Sequence, residues 1–200
     1  MKYKPTMNVM SKVSLVPPEL NMAESLYRTI KNNFKHLSPF LGFITDDVTI
    51  EDERAYLKMM IQQHADNKAR LFLIYYETTL IGTVDLHKID DNNNKAEVGY
   101  WIAEGYTGKN IVTNCVNHLC HFAFETLSLN KLIIKADVRN IASNKVAEKT
   151  GFTFLATDVE DIFDGENYRD MNRYVLLKSN LSSDKDNLLL GGSIWNLLEA

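Results

Sequence analysis

Glu97-Val-Gly-Tyr-Trp-Ile102, then Tyr106-Thr-Gly-Lys-Asn-Ile-Val-Thr113, then Asn140-Ile-Ala-Ser143 and Ala147-Glu-Lys-Thr-Gly-Phe152 decide how this chain reads. The first piece has the composition of a strand and the second breaks at Gly108. A helix follows from Ile111, a strand from Lys131 and a further helix from Ala142. The amides at the start of a helix lack intrahelical partners and sit at the positive end of its dipole. The turn Tyr106–Thr113 therefore offers a seat for an anion, above all a pyrophosphate. Gly108 allows close backbone approach and Thr113 can add a hydroxyl. A carboxylate, Glu97, precedes that seat and a hydroxyl, Ser143, follows it. A plain strand-to-helix turn with glycine for geometry explains the same residues if they are taken alone.

Outward from this stretch, apolar periodicity predicts a strand at Val13–Val16 and a helix opened by Pro17-Pro18 that runs to about Asn33. Phe34–Phe43 reads as an aromatic-rich connection broken by Pro39 and Gly42. Thr49 caps a second helix to about His64, with Asp52 as its box-like partner. Leu71–Tyr76 and Leu80–Leu86 form a hairpin, and Ala96–Ile102 is the next strand. Ile111–Leu127 is an amphipathic helix with stripes Ile111, Cys115, Leu119, Phe122 and Val116, Cys120, Phe124, Leu127. Lys131–Val138, Phe152–Thr157 and Tyr168–Leu177 are strands, the last two joined through Asp164-Gly165. The order is βααβββαβαββ, a mixed α/β domain over residues 1–178. A tail over 179–200 holds the apolar run Ile194-Trp-Asn-Leu-Leu198, which suits docking on the body or on a second protomer, so a homodimer stays open.

Composition bounds the function. The chain has 200 residues, 45% of them apolar and 24% charged, with a net charge of -4. Its pI near 5.7 argues against a broad nucleic-acid surface. No apolar run approaches the roughly 20 residues of a membrane span, and no signal peptide follows the basic N-terminus. The two cysteines, Cys115 and Cys120, share one predicted helix, which reads as reduced thiols in a cytoplasmic protein. His118 and His121 beside Cys115 suggest metal ligands. However, Cys115 belongs to the apolar stripe and the histidines lie on or beside the polar face, so no metal is expected.

With these pieces in place the chain resembles the GNAT N-acetyltransferases over about residues 13–177. Within them it resembles the RimJ/RimL-like branch of ribosomal-protein-serine and -alanine N-terminal acetyltransferases. Glu97–Ile102, Tyr106–Thr113, Leu129-Asn-Lys, Asn140–Asn144 and Val146–Phe152 carry the likeness, and His36-Leu-Ser-Pro-Phe40 adds to it. The resemblance implies a central twisted sheet of six or seven strands, splayed between the strand ending near Ile102 and that beginning near Lys131, with acetyl-CoA as donor. It places the pyrophosphate at Thr107, Gly108, Lys109, Asn110, Ile111, Val112 and Thr113, and the pantetheine along Val98, Tyr100, Trp101 and Ile102. It puts Asn140, Asn144 and Lys149 near the cofactor as well. Thr107, Asn110 and Val112 depart from the family's strict loop pattern, although asparagine tolerates a left-handed backbone.

The chemistry needs a neutral amine, a stabilised oxyanion and a proton for the thiolate. The resemblance makes Ser143 the candidate acid, although Ser143 would also serve as a helix cap. Glu97 is the candidate base, with a solvated strand-edge charge as the alternative. The branch's glutamate before the final hairpin falls on Ile162 here, with Glu160 and Asp161 beside it. Phe40, Phe43, Glu160 and Tyr168 are candidates for the acceptor cleft, and Lys31, Lys35 and Arg169 for a basic rim. An α-amine has a pKa ~2.6 below that of lysine, worth ~3.5 kcal/mol of deprotonation, so a weak base favours an N-terminal acceptor. The alternatives are a small amine, an aminoacylated metabolite or antibiotic, and a non-catalytic acyl-CoA-binding protein.

Overall fold

The computed structural model describes residues 6–181, and the tail residues 182–200 lie outside them. Strands β1 (Met7–Met10) and β2 (Val13–Val16) precede helices α1 (Ala23–Asn32), α2 (Phe34–Leu37) and α3 (Ile50–Ala65). Then come β3 (Arg70–Tyr76), β4 (Thr79–Asp90), β5 (Lys95–Ile102), α4 (Ile111–His121), β6 (Lys131–Asp137) and α5 (Ile141–Lys149). The hairpin β7 (Thr153–Phe163) and β8 (Tyr168–Leu177) and the short α6 (Lys178–Leu181) complete the order. The sheet has eight strands in the order β1-β2-β3-β4-β5-β6-β8-β7, which corrects the expected six or seven. The added strand is β1, a four-residue ribbon paired with β2 and too short to show a periodicity.

Two cores sandwich the sheet. The run Leu71–Ile74 is buried on both sides because its residues alternate between them. Leu71 and Leu73 join Ala23, Leu26 and Ile30 of α1 and Leu57 and Met60 of α3. Phe72 and Ile74 join Ile111, Cys115, Leu119 and Cys120 of α4, drawn from the two neighbouring stripes expected for that helix. The capping box forms as expected. The Asp52 amide donates to Thr49 Oγ1 at 3.2 Å, and the Thr49 amide donates to Asp52 Oδ2 at 2.9 Å. The Phe34–Phe43 connection holds one helical turn, α2, with Leu37 buried beneath it.

The sheet opens at its centre. β5 and β6 run parallel and pair only at Lys95–Glu97 against Lys131–Ile133. Beyond Glu97 the strands part, and Val98–Ile102 keeps only β4 as partner, from Leu86 to Gly82. Gly82 makes that remaining ladder possible. A Cβ there would stand 2.2 Å from the Trp101 carbonyl oxygen and 3.0 Å from Ile102 Cα, both backbone atoms that cannot yield. Gly82→Ala should therefore destabilise the fold by about 2 kcal/mol, as overpacking against backbone does. Urea unfolding reads this directly, and an unchanged midpoint would contradict the close packing of β4 on β5.

Candidate active site

A cleft of about 930 Å³ passes through the opening between β5 and β6. Strand alternation divides its lining. Tyr100 and Val98 point to the α4 face, while Gly99, Glu97 and Trp101 point to the α3 face together with their partners Asp85, His87 and Thr83 of β4.

The α4 half is built from two helix starts. Asn110 takes the left-handed conformation, with φ of 56°, as the N-cap of α4, and Gly108 precedes it at φ of 72°. The first helical bond runs from the Asn114 amide to the Asn110 carbonyl, so the amides of Ile111, Val112 and Thr113 lack helical partners. A Cβ on Gly108 would meet nothing of the protein within 4 Å, so this face of the turn is open. Lys149 Nζ reaches Asn110 Oδ1 at 3.1 Å and ties α5 to the turn. Thr107 also lines the cleft, whereas the Lys109 ammonium folds back onto the Gly105 carbonyl at 2.9 Å, and only its backbone remains with the turn.

At α5, the Asn140 side chain accepts from the Ser143 amide at 3.1 Å and is the N-cap. Ser143 is thereby relieved of the capping role that the sequence left open, and its Oγ lies 3.1 Å from the Tyr100 hydroxyl. Tyr100 also donates to the Ser143 carbonyl at 3.0 Å, and burial pushes its pKa up to about 12, so it keeps its proton. Asn144 corrects an expectation. It is buried, bonded to the carbonyls of Asp137 and Asn140 and to the side chains of Asn172 and Tyr174, and it braces α5 against the sheet instead of facing the cleft.

The α3 half has apolar walls from Phe40, Phe43, Leu41 and Met59 and a charged floor. His87 bridges two carboxylates, with Nδ1 at 2.7 Å from Asp85 Oδ1 and Nε2 at 3.4 Å from Glu97 Oε2. Lys88 Nζ also lies 2.9 Å from Glu97 Oε2. Consecutive strand residues ordinarily point to opposite faces. A bulge with Lys88 at φ of 50° brings His87 and Lys88 onto the same carboxylate. Hydrogen bonds from His87 first, then Lys88, hold the Glu97 carboxyl down at about 2, against its burial. Burial would lower the His87 pKa, but the bonds and charges of Asp85 and Glu97 outweigh it and raise the imidazole to about 9. The third carboxylate of the cleft, Asp137, takes Arg139 on both oxygens, at 2.9 and 2.6 Å.

Of the expected acceptor residues, Phe40 and Phe43 line the cleft, and Arg139 lies 5.9 Å from the Phe40 ring. Glu160 and Tyr168 do not line it. They sit on the β7–β8 hairpin, Glu160 exposed at a left-handed position and Tyr168 packed on Phe163 with ring centroids 5.1 Å apart. Asp85 and His87 are site residues that the sequence reading passed over. The alternation Thr83-x-Asp85-x-His87 between buried Val84 and Leu86 is the signal that marks them.

A sequence profile of the acetyltransferase (GNAT) domain matches residues 12–153. The chain belongs to the GNAT acetyltransferases. A Bacillus subtilis protein, YdaF, provisionally named a ribosomal N-acetyltransferase, is 32% identical over 82% of this chain and 90% of its own. The ribosomal-protein-serine acetyltransferase of Escherichia coli is 29% identical over 84% of this chain and 94% of its own. Among solved structures, a microcin self-immunity acetyltransferase in complex with acetyl-CoA and AMP is 28% identical, with a TM-score of 0.81 over 84% of this chain and 94% of that one. No helix among the described residues is long and apolar enough to cross a membrane, and no group of histidine, cysteine and carboxylate side chains among them could hold a metal ion.

The bridged imidazole has a measurable signature. His87 carries a pKa raised above its unfolded value, so its stabilising effect is complete below about pH 6.5 and is lost as pH rises through about 9. In an NMR titration the His87 ring should stay protonated past pH 8. A midpoint near 6.5 would show that the bridge does not form.

Proposed function

We propose that this GNAT acetyltransferase moves the acetyl group of acetyl-CoA to the N-terminal α-amine of a protein, of the ribosomal-protein-serine or -alanine type. The observation that carries this reading is the open seam beyond Glu97. It joins an anion seat and a hydroxyl pair on one face of the sheet to an apolar, charge-floored pocket on the other.

The residues of the α4 half fit acetyl-CoA. The amides of Ile111, Val112 and Thr113 and the open face of Gly108 suit a pyrophosphate. The unpaired edge of Val98–Ile102 offers backbone donors and acceptors to a pantetheine amide, as a sheet edge does to an added strand. Lys149 acts on the seat through Asn110. Of the departures from the family's loop pattern, that at Asn110 is absorbed, because Asn110 adopts the left-handed backbone the turn needs.

In the transfer, the neutral amine nitrogen attacks the thioester carbonyl carbon. The C–N bond forms and the C–S bond breaks. The leaving sulfur takes a proton from Ser143, which stays hydrogen-bonded to the neutral Tyr100 hydroxyl. The amine nitrogen sheds a proton as the amide forms, and this restores the serine hydroxyl. The acceptor amine reaches neutrality by losing one further proton to solvent. Glu97, held near 2, is a weaker base than a free glutamate. Its part is to keep His87 and Lys88 in place, and an α-amine, with its low intrinsic pKa, suits such a site better than lysine. Phe40 and Phe43 wall the entry for a small first residue. The free, buried Cys115 and Cys120 fit a reducing cytoplasm.

A peptide series tests both acceptor and acid. Peptides beginning with Ser or Ala should be acetylated, with CoA thiol released, while α-blocked peptides and those with bulky first residues are not. Ser143→Ala should lower kcat about a hundredfold and leave KM for acetyl-CoA unchanged. Turnover of small amines with none of the peptides would reject the acceptor, and an unchanged kcat would remove Ser143 from the proton path.

A further inference from the structure

Three carboxylates line the cleft, and their charges are not equally spent. Glu97 faces Lys88 and His87 at one oxygen, and the Lys135 ammonium senses it too. Asp137 is closed by Arg139. Among the described residues Asp85 has a single hydrogen-bond partner, His87, and that bond uses only Oδ1. Its other oxygen, Oδ2, accepts no hydrogen bond among the described residues. The His87 cation is moreover shared with Glu97, so it neutralises Asp85 only in part.

The position of Oδ2 is set by a missing side chain. Asp85 stands opposite Gly99, two residues beyond the last β5–β6 pair and near the start of the opened part of β5. A Cβ on Gly99 would come within 2.5 Å of Asp85 Oδ2, so the carboxylate lies across the strand where that atom would be. Gly99 directly precedes Tyr100, whose hydroxyl meets Ser143 on the opposite face. The free oxygen therefore sits beside the seam through which the two halves of the cleft communicate. Tyr56 packs near enough to feel the Asp85 charge, and the side chain of Asp85 is only 17% exposed. Water screens such a charge poorly, so a cationic or N–H-bearing group entering from the apolar mouth would be drawn to it.

We propose that Asp85 Oδ2 is the receptor for the acceptor amine, with His87 and Gly99 as the residues that position it. Asp85 accepts one N–H of the amine and thereby aims the nitrogen lone pair at the seam. His87 holds Oδ1 and fixes the rotamer, and Glu97 fixes His87 in turn. A carboxylate on this floor with one oxygen unbonded and its charge only partly neutralised suits an acceptor with one ammonium group near the reacting end. The assignment deepens the acceptor reading above and rests on it for the class of amine, but it concerns a residue that reading leaves without a role.

The experiment compares Asp85→Asn and Gly99→Ala with the wild-type enzyme. Each is assayed on a Ser-initiated peptide and on a simple primary amine, and acetyl-CoA binding is measured separately by calorimetry. Asp85→Asn should lower kcat/KM for the acceptor about tenfold or more, the usual worth of a charged hydrogen bond, while acetyl-CoA affinity is kept. Gly99→Ala keeps the charge but displaces the carboxylate, and it should lower the same parameter. Wild-type affinity for an otherwise identical peptide with a hydroxyl in place of the α-amine should be weaker than for the amine, and the difference should vanish in Asp85→Asn. Folded variants of both kinds with unchanged acceptor kcat/KM, or an amine preference that survives in Asp85→Asn, would overturn the assignment. Turnover of the simple amine alone, with the Asp85→Asn defect present on it, would uphold Asp85 and reject only the protein N-terminus as acceptor.

Discussion

Parallel strands held together at three residue positions and then released make an unusual centre for a sheet. β5 and β6 pair at Lys95–Glu97 and no further, and the rest of the site depends on that release. The released backbone of Val98–Ile102 would be a costly orphan if it were buried without partners. It is tolerated because the cleft runs along it, and because Gly82 lets β4 hold the other edge at close range. The hydroxyl pair on one face and the carboxylates on the other line one cleft because of the same opening. An intact ladder here would separate them by a continuous sheet.

Electrostatics on the α3 side of the cleft follow from local backbone geometry. The bulge at Lys88 aims two successive side chains at Glu97, whose carboxyl is held down at about 2. The imidazole it anchors then reaches Asp85, whose other oxygen, over Gly99, accepts no hydrogen bond among the described residues. On the α4 side, Asn140 caps α5 through the Ser143 amide and leaves the Ser143 hydroxyl to Tyr100. In both halves a neighbouring residue takes over a structural duty and leaves a polar atom open to the cleft.

Much of this was legible before any coordinates. The stripes of α4, the Thr49–Asp52 box and the left-handed tolerance of Asn110 follow from side-chain chemistry and spacing, and the opened seam follows from the family likeness. What escaped did so for identifiable reasons. β1 is too brief for a pattern. β7 runs on to Phe163 through Asp158-Val-Glu-Asp161 because it is an exposed edge strand that needs no apolar face, and a bulge interrupts it there. Asn144 has the polarity of a surface helix position, but Asn172 and Tyr174 of β8 lie beneath it and draw it inward, a tertiary fact no local pattern encodes. Glu160 and Tyr168 were placed by analogy of position, whereas the hairpin carries them away from the cleft. Asp85 lay within a strand, Leu80–Leu86, read for its apolar residues, and His87 lay just beyond the expected end of a strand that runs on to Asp90.

The dependence of the site on the opened seam is tested most directly by amide hydrogen exchange with and without acetyl-CoA. Donors on the free edge of Val98–Ile102 exchange through the cleft in the unliganded protein and should become protected when acetyl-CoA binds, together with the amides of Gly108–Thr113. Protection at the α4 turn and the β5 edge in the same titration is the predicted result. Amides of Val98–Ile102 that are equally slow in both states, or ligand protection confined to other strands, would contradict a cofactor path through the gap between β5 and β6.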